Sequence, residues 1–136
     1  MQFVSNSFRV KYSETDQMGF MHHSNYLILF ENARISWLRY LGLSYKKIEE
    51  DGIWMPVVES SLKHLKPSFF DDELTTEVKL KNLPKAFLLF NYKISNQLNQ
   101  IVCTGSTKIA FLNSKTKRPV RCPHFLYSVF EEGFNK

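Results

Sequence analysis

The sequence predicts an α+β fold in which one long central helix is wrapped by an antiparallel β-sheet. Three observations carry this. Apolar residues recur at helical spacing over one long stretch, residues 26–41. From residue 54 onward the period changes to two, the mark of half-buried strands. The connections between those strand-like stretches are short and polar, as between antiparallel neighbours. At 136 residues the chain is expected to be one domain, 1–136, with no internal repeat, linker or low-complexity segment.

The elements follow in order. Residues 3–12 read as a first strand, with Phe8, Val10 and Tyr12 on one face against Arg9 and Lys11. A loop then covers residues 13–23. In the long helix, Tyr26, Leu29, Phe30, Ala33, Trp37 and Leu41 form an apolar stripe. Ile28, Ile35 and Leu38 widen it, so the helix is expected to be covered on most sides. Ser24 or Asn25 can cap its start, and Gly42 ends it. Residues 44–51 suit a second, short helix closed by Gly52. Residues 54–65 read as a strand ended by Pro67. Leu74, Thr76, Val78 and Leu80 alternate with polar neighbours, as do Leu88, Phe90, Tyr92 and Ile94. Residues 96–100 are a polar turn, 101–112 a last long strand and 114–118 another turn. The segment 124–134 is expected to be a short helix that docks through Phe125 and Val129, with Leu126 and Phe130 as further apolar contacts.

Composition narrows the class. A hydrophobic share of 43% with twelve Phe is ample for a core, and nothing reads as disordered. No apolar run, residues 27–30 included, is long enough to span a bilayer. The N-terminus lacks a basic region followed by a hydrophobic block, so no secretory signal is expected. Two cysteines, Cys103 and Cys122, with Cys103 in a strand-like stretch, fit a reducing cytoplasm better than a disulfide scaffold. The net charge is +5, and Lys108, Lys115, Lys117, Arg118 and Arg121 gather in the C-terminal half. A solvated basic face, a phosphate-bearing small molecule and nucleic acid all remain open on charge alone. Zinc-finger spacing, an RNA-binding aromatic signature and a Gly-rich phosphate loop are all missing from the sequence.

The chemistry gathers in residues 12–26, where a phenol, two carboxyls and two imidazoles precede the helix. A helix N-terminus carries free N–H groups and positive dipole charge. A carboxylate facing such donors can attack a polarised carbonyl or direct water at it, which is acyl-transfer chemistry and points to a hydrolase. Asp16 is the leading candidate. An isolated Asp in a loop is more often a turn former or cap, but its neighbours change the balance. Gly19 permits a tight bend or a close approach to a ligand. Met18, Phe20 and Met21 make the loop apolar, which is expected to desolvate a nearby carboxylate and raise its basicity. His23 lies seven residues on, beside the helix start, as a polar active-site residue through its side chain or its amide.

The pair His22-His23 invites a metal site with Asp16, His64 or His124. No His-x-x-x-His or Cys-x-x-Cys spacing supports it, and no metal is expected. Tyr12 is by default a strand aromatic, whose hydroxyl could reach Asp16 or His23. Glu31 and Arg34 are placed to pair at i,i+3 and are read as structural.

Tyr12-x-x-x-Asp16-x-x-Gly19-x-x-x-His23-x-Asn25-Tyr26, followed by Phe30-Glu31-x-Ala33-Arg34, resembles the signature of hotdog-fold acyl-CoA thioesterases. The nearest subgroup is the 4-hydroxybenzoyl-CoA thioesterase type, including the Tol-Pal-associated enzymes. The family's Asp-x-Asp-x-x-Gly pattern is represented by residues 14–19, with Glu14 in the first acidic place. The resemblance implies an acyl-CoA or acyl-carrier-protein substrate, hydrolysed without metal or further cofactor, since coenzyme A belongs to the substrate. It implies Asp16 as nucleophile or general base, an amide near His23 as carbonyl donor, and assistance from the His23 side chain and Tyr12. Gly19 and Asn25 fall at substrate-binding positions.

Val58, Glu59 and Ser60 match a strand that lines the acyl pocket from the partner subunit. The implied assembly is a homo-oligomer, a dimer or a dimer of dimers (a homotetramer), joined sheet edge to sheet edge. Lys63, Lys66, Lys117, Arg118 and Arg121 are candidates for the coenzyme A phosphates. No nucleic acid, no membrane span and a cytoplasmic location complete the expectation. Two other readings stand beside it: a dehydratase on 3-hydroxyacyl thioesters, and a non-catalytic acyl-CoA-binding module. Against the second, a pure binder has no need of a partly desolvated carboxylate.

Overall fold

The period-two stretches become one antiparallel sheet, and the long apolar stripe lies against it. In the computed structural model, which describes residues 1–134, the elements are β1 (Gln2–Val4), β2 (Phe8–Arg9), a 3-10 turn (Tyr12–Glu14), α1 (Ser24–Tyr40), α2 (Tyr45–Glu50), β3 (Ile53–Trp54), β4 (Val57–His64), β5 (Glu73–Leu80), β6 (Phe87–Ser95), β7 (Ile101–Ala110), β8 (Leu112–Asn113) and α3 (His124–Phe134). The strand order is β1-β5-β6-β7-β4, with β2 also on β5, and β3 pairs with β8 apart from it. Among the described residues no helix is long and apolar enough to cross a membrane.

The core forms where α1 meets the middle of the sheet. Phe30 stacks on Tyr92 of β6 with centroids 4.2 Å apart and planes 7° from parallel. Trp37 tilts over Phe90 at 5.8 Å and meets Phe130 of α3 edge-on at 6.4 Å. Gly105 of β7 makes room for this packing: a Cβ there would lie 2.6 Å from the Phe30 ring and 2.4 Å from the Ser61 carbonyl oxygen. A side chain at 105 would therefore push both the helix and β4 off the sheet.

Several boundaries differ from the sequence pattern, each for a local reason. The first strand is split at residues 5–7, where the Ser5 hydroxyl accepts the Thr76 N–H at 3.1 Å and takes the place of a ladder bond. Tyr12 leaves the strand for a 3-10 turn. The Glu14 carboxylate there accepts the Lys11 N–H at 2.7 Å, and the Thr15 hydroxyl donates to the Tyr12 carbonyl at 2.7 Å. The expected strand over 54–65 breaks at Met55-Pro56, because Pro56 has no N–H to donate and restricts the residue before it. A register shift between Val57 and Glu59 then makes a bulge at Val58. In α3 the docking residues are Leu126 and Phe130, while Phe125 stays exposed.

The helix is less covered than its stripe suggests. Leu27 and Ile28 of α1 are exposed, and so are Val57 and Val58 on the edge strand β4. Among the described residues no strand lies beyond β4, so one side of the helix and one sheet edge are bare in the single chain.

Candidate active site

The loop between β2 and α1 is tied at both ends. Asp16 N–H donates to the Phe20 carbonyl at 2.8 Å, Gly19 N–H to the Asp16 carbonyl at 3.0 Å, and His22 N–H to the Glu14 carbonyl at 2.7 Å. Met21 N–H reaches across to the Ser68 carbonyl at 2.7 Å. Gly19 sits at φ +83°, a left-handed conformation that this tight turn requires and that a side chain would strain. Nothing crowds it, so its place here is that of a turn residue.

Asp16 is half-buried and holds the turn through one oxygen. Its Oδ1 accepts the N–H of Met18 at 2.9 Å and of Phe20 at 3.2 Å. Among the described residues no protein donor meets Oδ2. The carboxylate thus serves the turn and still keeps an oxygen for chemistry. The apolar neighbours divide: Met21 is buried, while Met18 stands in solvent.

Asp16 and His23 line one cavity of about 330 Å³, which two chain segments enclose. One is the loop and the first turn of α1, ending at Tyr26. The other is the chain leaving β4, through His64, Leu65, Lys66 and Pro67.

His23 is the residue before α1, and its ring stacks on His22 at 4.3 Å. The expected capping by Ser24 or Asn25 is replaced. Ser24 N–H donates to His22 Nδ1 at 3.3 Å, Asn25 N–H to the His22 carbonyl at 3.0 Å and Tyr26 N–H to the His23 carbonyl at 3.3 Å. Among the described residues no protein acceptor takes the His23 N–H. Asn25 acts as a brace, its side-chain amide donating to the carbonyls of Glu14 and His22 at 3.2 Å each.

Tyr26 is buried and donates its hydroxyl to Ser68 Oγ at 3.1 Å. Burial pushes its acidity down, with its pKa above the ordinary tyrosine value, so the phenol stays protonated. The pairing of Arg34 with Glu31 is present at 3.8 Å.

The other expected residues lie elsewhere. Tyr12 is 79% exposed, its ring edge-on to Phe70 at 5.8 Å, and is not among the residues lining the Asp16 cavity. Val58, Glu59 and Ser60 sit at the opposite end of β4 from His64. Ser60 borders a separate cavity of about 230 Å³ beside the exposed Leu27 and Ile28. The residues that sequence reasoning missed are Tyr26 and His64 as cavity walls. Tyr26 reads as core from its spacing, and His64 enters only as a metal candidate. No local signal marks His64, because strand pairing (His64 opposite Cys103) brings it to the loop.

A family model described as the thioesterase-like superfamily matches residues 10–130. The chain belongs to the thioesterase-like superfamily. Other members and structures agree with this placement. The acyl-CoA thioesterase YbgC of Haemophilus influenzae is 27% identical over 124 residues, 90% of each chain. The crystal structure of a DHNA-CoA thioesterase from Staphylococcus aureus superposes with a TM-score of 0.91 at 25% identity, covering 98% of this chain and 91% of that one. The structure of TT1821, a hypothetical protein from Thermus thermophilus, does so at 0.87 and 32% identity, covering 95% and 97%. The expected class, an α+β hotdog fold of the thioesterase kind, is therefore the fold of this superfamily member.

Proposed function

We propose that this chain is an acyl-CoA thioesterase that releases a free acid and coenzyme A. The observation that carries this is that Asp16 and His23 line one cavity. One brings a carboxylate with a free oxygen, the other an N–H without a protein acceptor. The thioester carbonyl oxygen accepts the His23 N–H, whose position at the start of α1 adds the positive end of the helix dipole. Asp16 Oδ2 then acts in one of two ways. It adds to the carbonyl carbon, expels the thiolate and leaves a mixed anhydride for water to open. Otherwise it takes a proton from the water that adds.

Asn25 and Gly19 hold the loop that presents Asp16, and the His23 imidazole is suited to assist at the same cavity. Tyr12 stands outside this constellation, exposed beside Phe70. Lys66, on the cavity wall, and Lys63, three residues before it on β4, are suited to the coenzyme A phosphates. The acyl pocket is completed by a second copy, with Val58, Glu59 and Ser60 contributed across the bare β4 edge. The exposed Leu27, Ile28, Val57 and Val58 are the apolar surface that such a homo-oligomer covers.

The test is thiol release from a panel of short, medium, long and aromatic acyl-CoAs. Selective turnover is the expected result. Acyl-CoA that stays bound and intact over hours overturns the enzyme reading in favour of a binding module. Single turnover in oxygen-18 water separates the two roles of Asp16, because only the anhydride route puts label into its carboxylate.

A further inference from the structure

The cavity has a second imidazole that neither the signature motif nor the carbonyl chemistry uses. His64 is the last residue of β4, its Cα paired with Cys103 of β7. The chain beyond it is pinned, since the N–H groups of Leu65 and Lys66 both donate to the Val102 carbonyl, at 2.9 and 3.2 Å. The ring lies edge-on to Tyr26 at 5.1 Å, and Tyr26 is itself fixed by its bond to Ser68. Among the described residues neither ring nitrogen of His64 meets a protein partner, whereas His22 is engaged by Ser24 and His124 by Ser128. An imidazole held in place by a strand end and a buried ring, with both nitrogens unused, on the wall of a reaction cavity is suited to proton transfer. The charged and titratable groups that border the cavity with it are Asp16, His23, Tyr26 and Lys66.

We propose that His64 is a catalytic residue that donates a proton to the departing coenzyme A sulfur. This rests on the thioesterase reading of the Asp16 cavity. In the general-base route, water adds to the carbonyl carbon while Asp16 takes its proton. The C–S bond then breaks with its electron pair going to sulfur, and the imidazolium of His64 delivers a proton there, giving the free thiol. The proton held by Asp16 returns through solvent to His64, so the sum is thioester plus water to acid plus thiol. In the anhydride route the same imidazolium serves the same sulfur when Asp16 displaces it.

The experiment varies the leaving group. Wild type, His64→Phe, His23→Ala and Asp16→Asn are compared on one acyl-CoA and on the 4-nitrothiophenyl thioester of the same acid, whose thiol is far more acidic. His64→Phe keeps an aromatic edge against Tyr26. It is expected to lose about 10²-fold in kcat on acyl-CoA and less than about 3-fold on the nitrothiophenyl ester, which leaves without a proton. Imidazole added to His64→Ala is expected to restore at least about 10-fold of the lost acyl-CoA rate. Equal losses on both esters, an unchanged acyl-CoA rate, no rescue, or leaving-group selectivity that appears in His23→Ala instead would each overturn the assignment. Asp16→Asn is expected to lose both esters alike. A wild type inactive on every thioester would overturn the thioesterase reading itself, a result distinct from all of these.

Discussion

Asp16→Asn is expected to lower acyl-CoA turnover by roughly 10²-fold or more, with little change in thermal stability. The two halves of this expectation come from the two oxygens of the carboxylate. Oδ1 accepts the N–H groups of Met18 and Phe20, and the amide oxygen of Asn can accept both in the same place. The turn therefore survives. The second oxygen becomes an NH₂ group, which cannot attack a carbonyl or take a proton from water. Thiol release and a thermal melt on the same preparation check both parts. Unchanged turnover would remove Asp16 from the mechanism, and a collapsed melting curve would show that its charge, beyond its shape, holds the loop.

Phe30→Ala is expected to destabilise the protein by about 4 kcal/mol, lowering its thermal midpoint by roughly 12–15 °C. Phe30 is fully buried and lies flat on Tyr92, so truncation loses apolar burial and a stacked pair. The site has little means to collapse. Below the ring, Gly105 offers no side chain to fill the void, and Tyr92 is held by a 2.6 Å bond to Thr107. Calorimetry of the variant measures the loss. A value under about 1 kcal/mol would mean that α1 settles onto the sheet freely, against the close packing at Gly105.

Much of the architecture was legible because the patterns there are long. The stripe from Tyr26 to Trp37 and the alternation of Leu74 to Leu80 and Leu88 to Ile94 repeat often enough to set both type and buried face. What escaped was decided by single groups. Pro56 cut one strand in two, the Ser5 hydroxyl cut another, and the Glu14 carboxylate wound Tyr12 into a turn.

The candidate site divides in the same way. Asp16, Gly19, His23 and Asn25 lie on one short stretch, the loop and the first turn of α1, so sequence order keeps them together. His64 arrives from a strand forty-odd residues on, through pairing with β7, and no short-range pattern encodes that meeting. Val58, Glu59 and Ser60 are the reverse case. A family pattern ties them to the site, yet in a single chain they stand at the far end of β4.

The two cysteines have a practical bearing on all of these assays. Burial pushes the Cys103 thiol up to about 11 and the Cys122 thiol up to about 12. Only thiolates react quickly with disulfide dyes, and at neutral pH each cysteine is held overwhelmingly as the thiol. A dye that colours on meeting free coenzyme A will therefore find almost nothing on the protein to compete for it. The enzyme can be added at higher concentration, for a poor substrate or a crippled variant, with slow background colour from the protein itself.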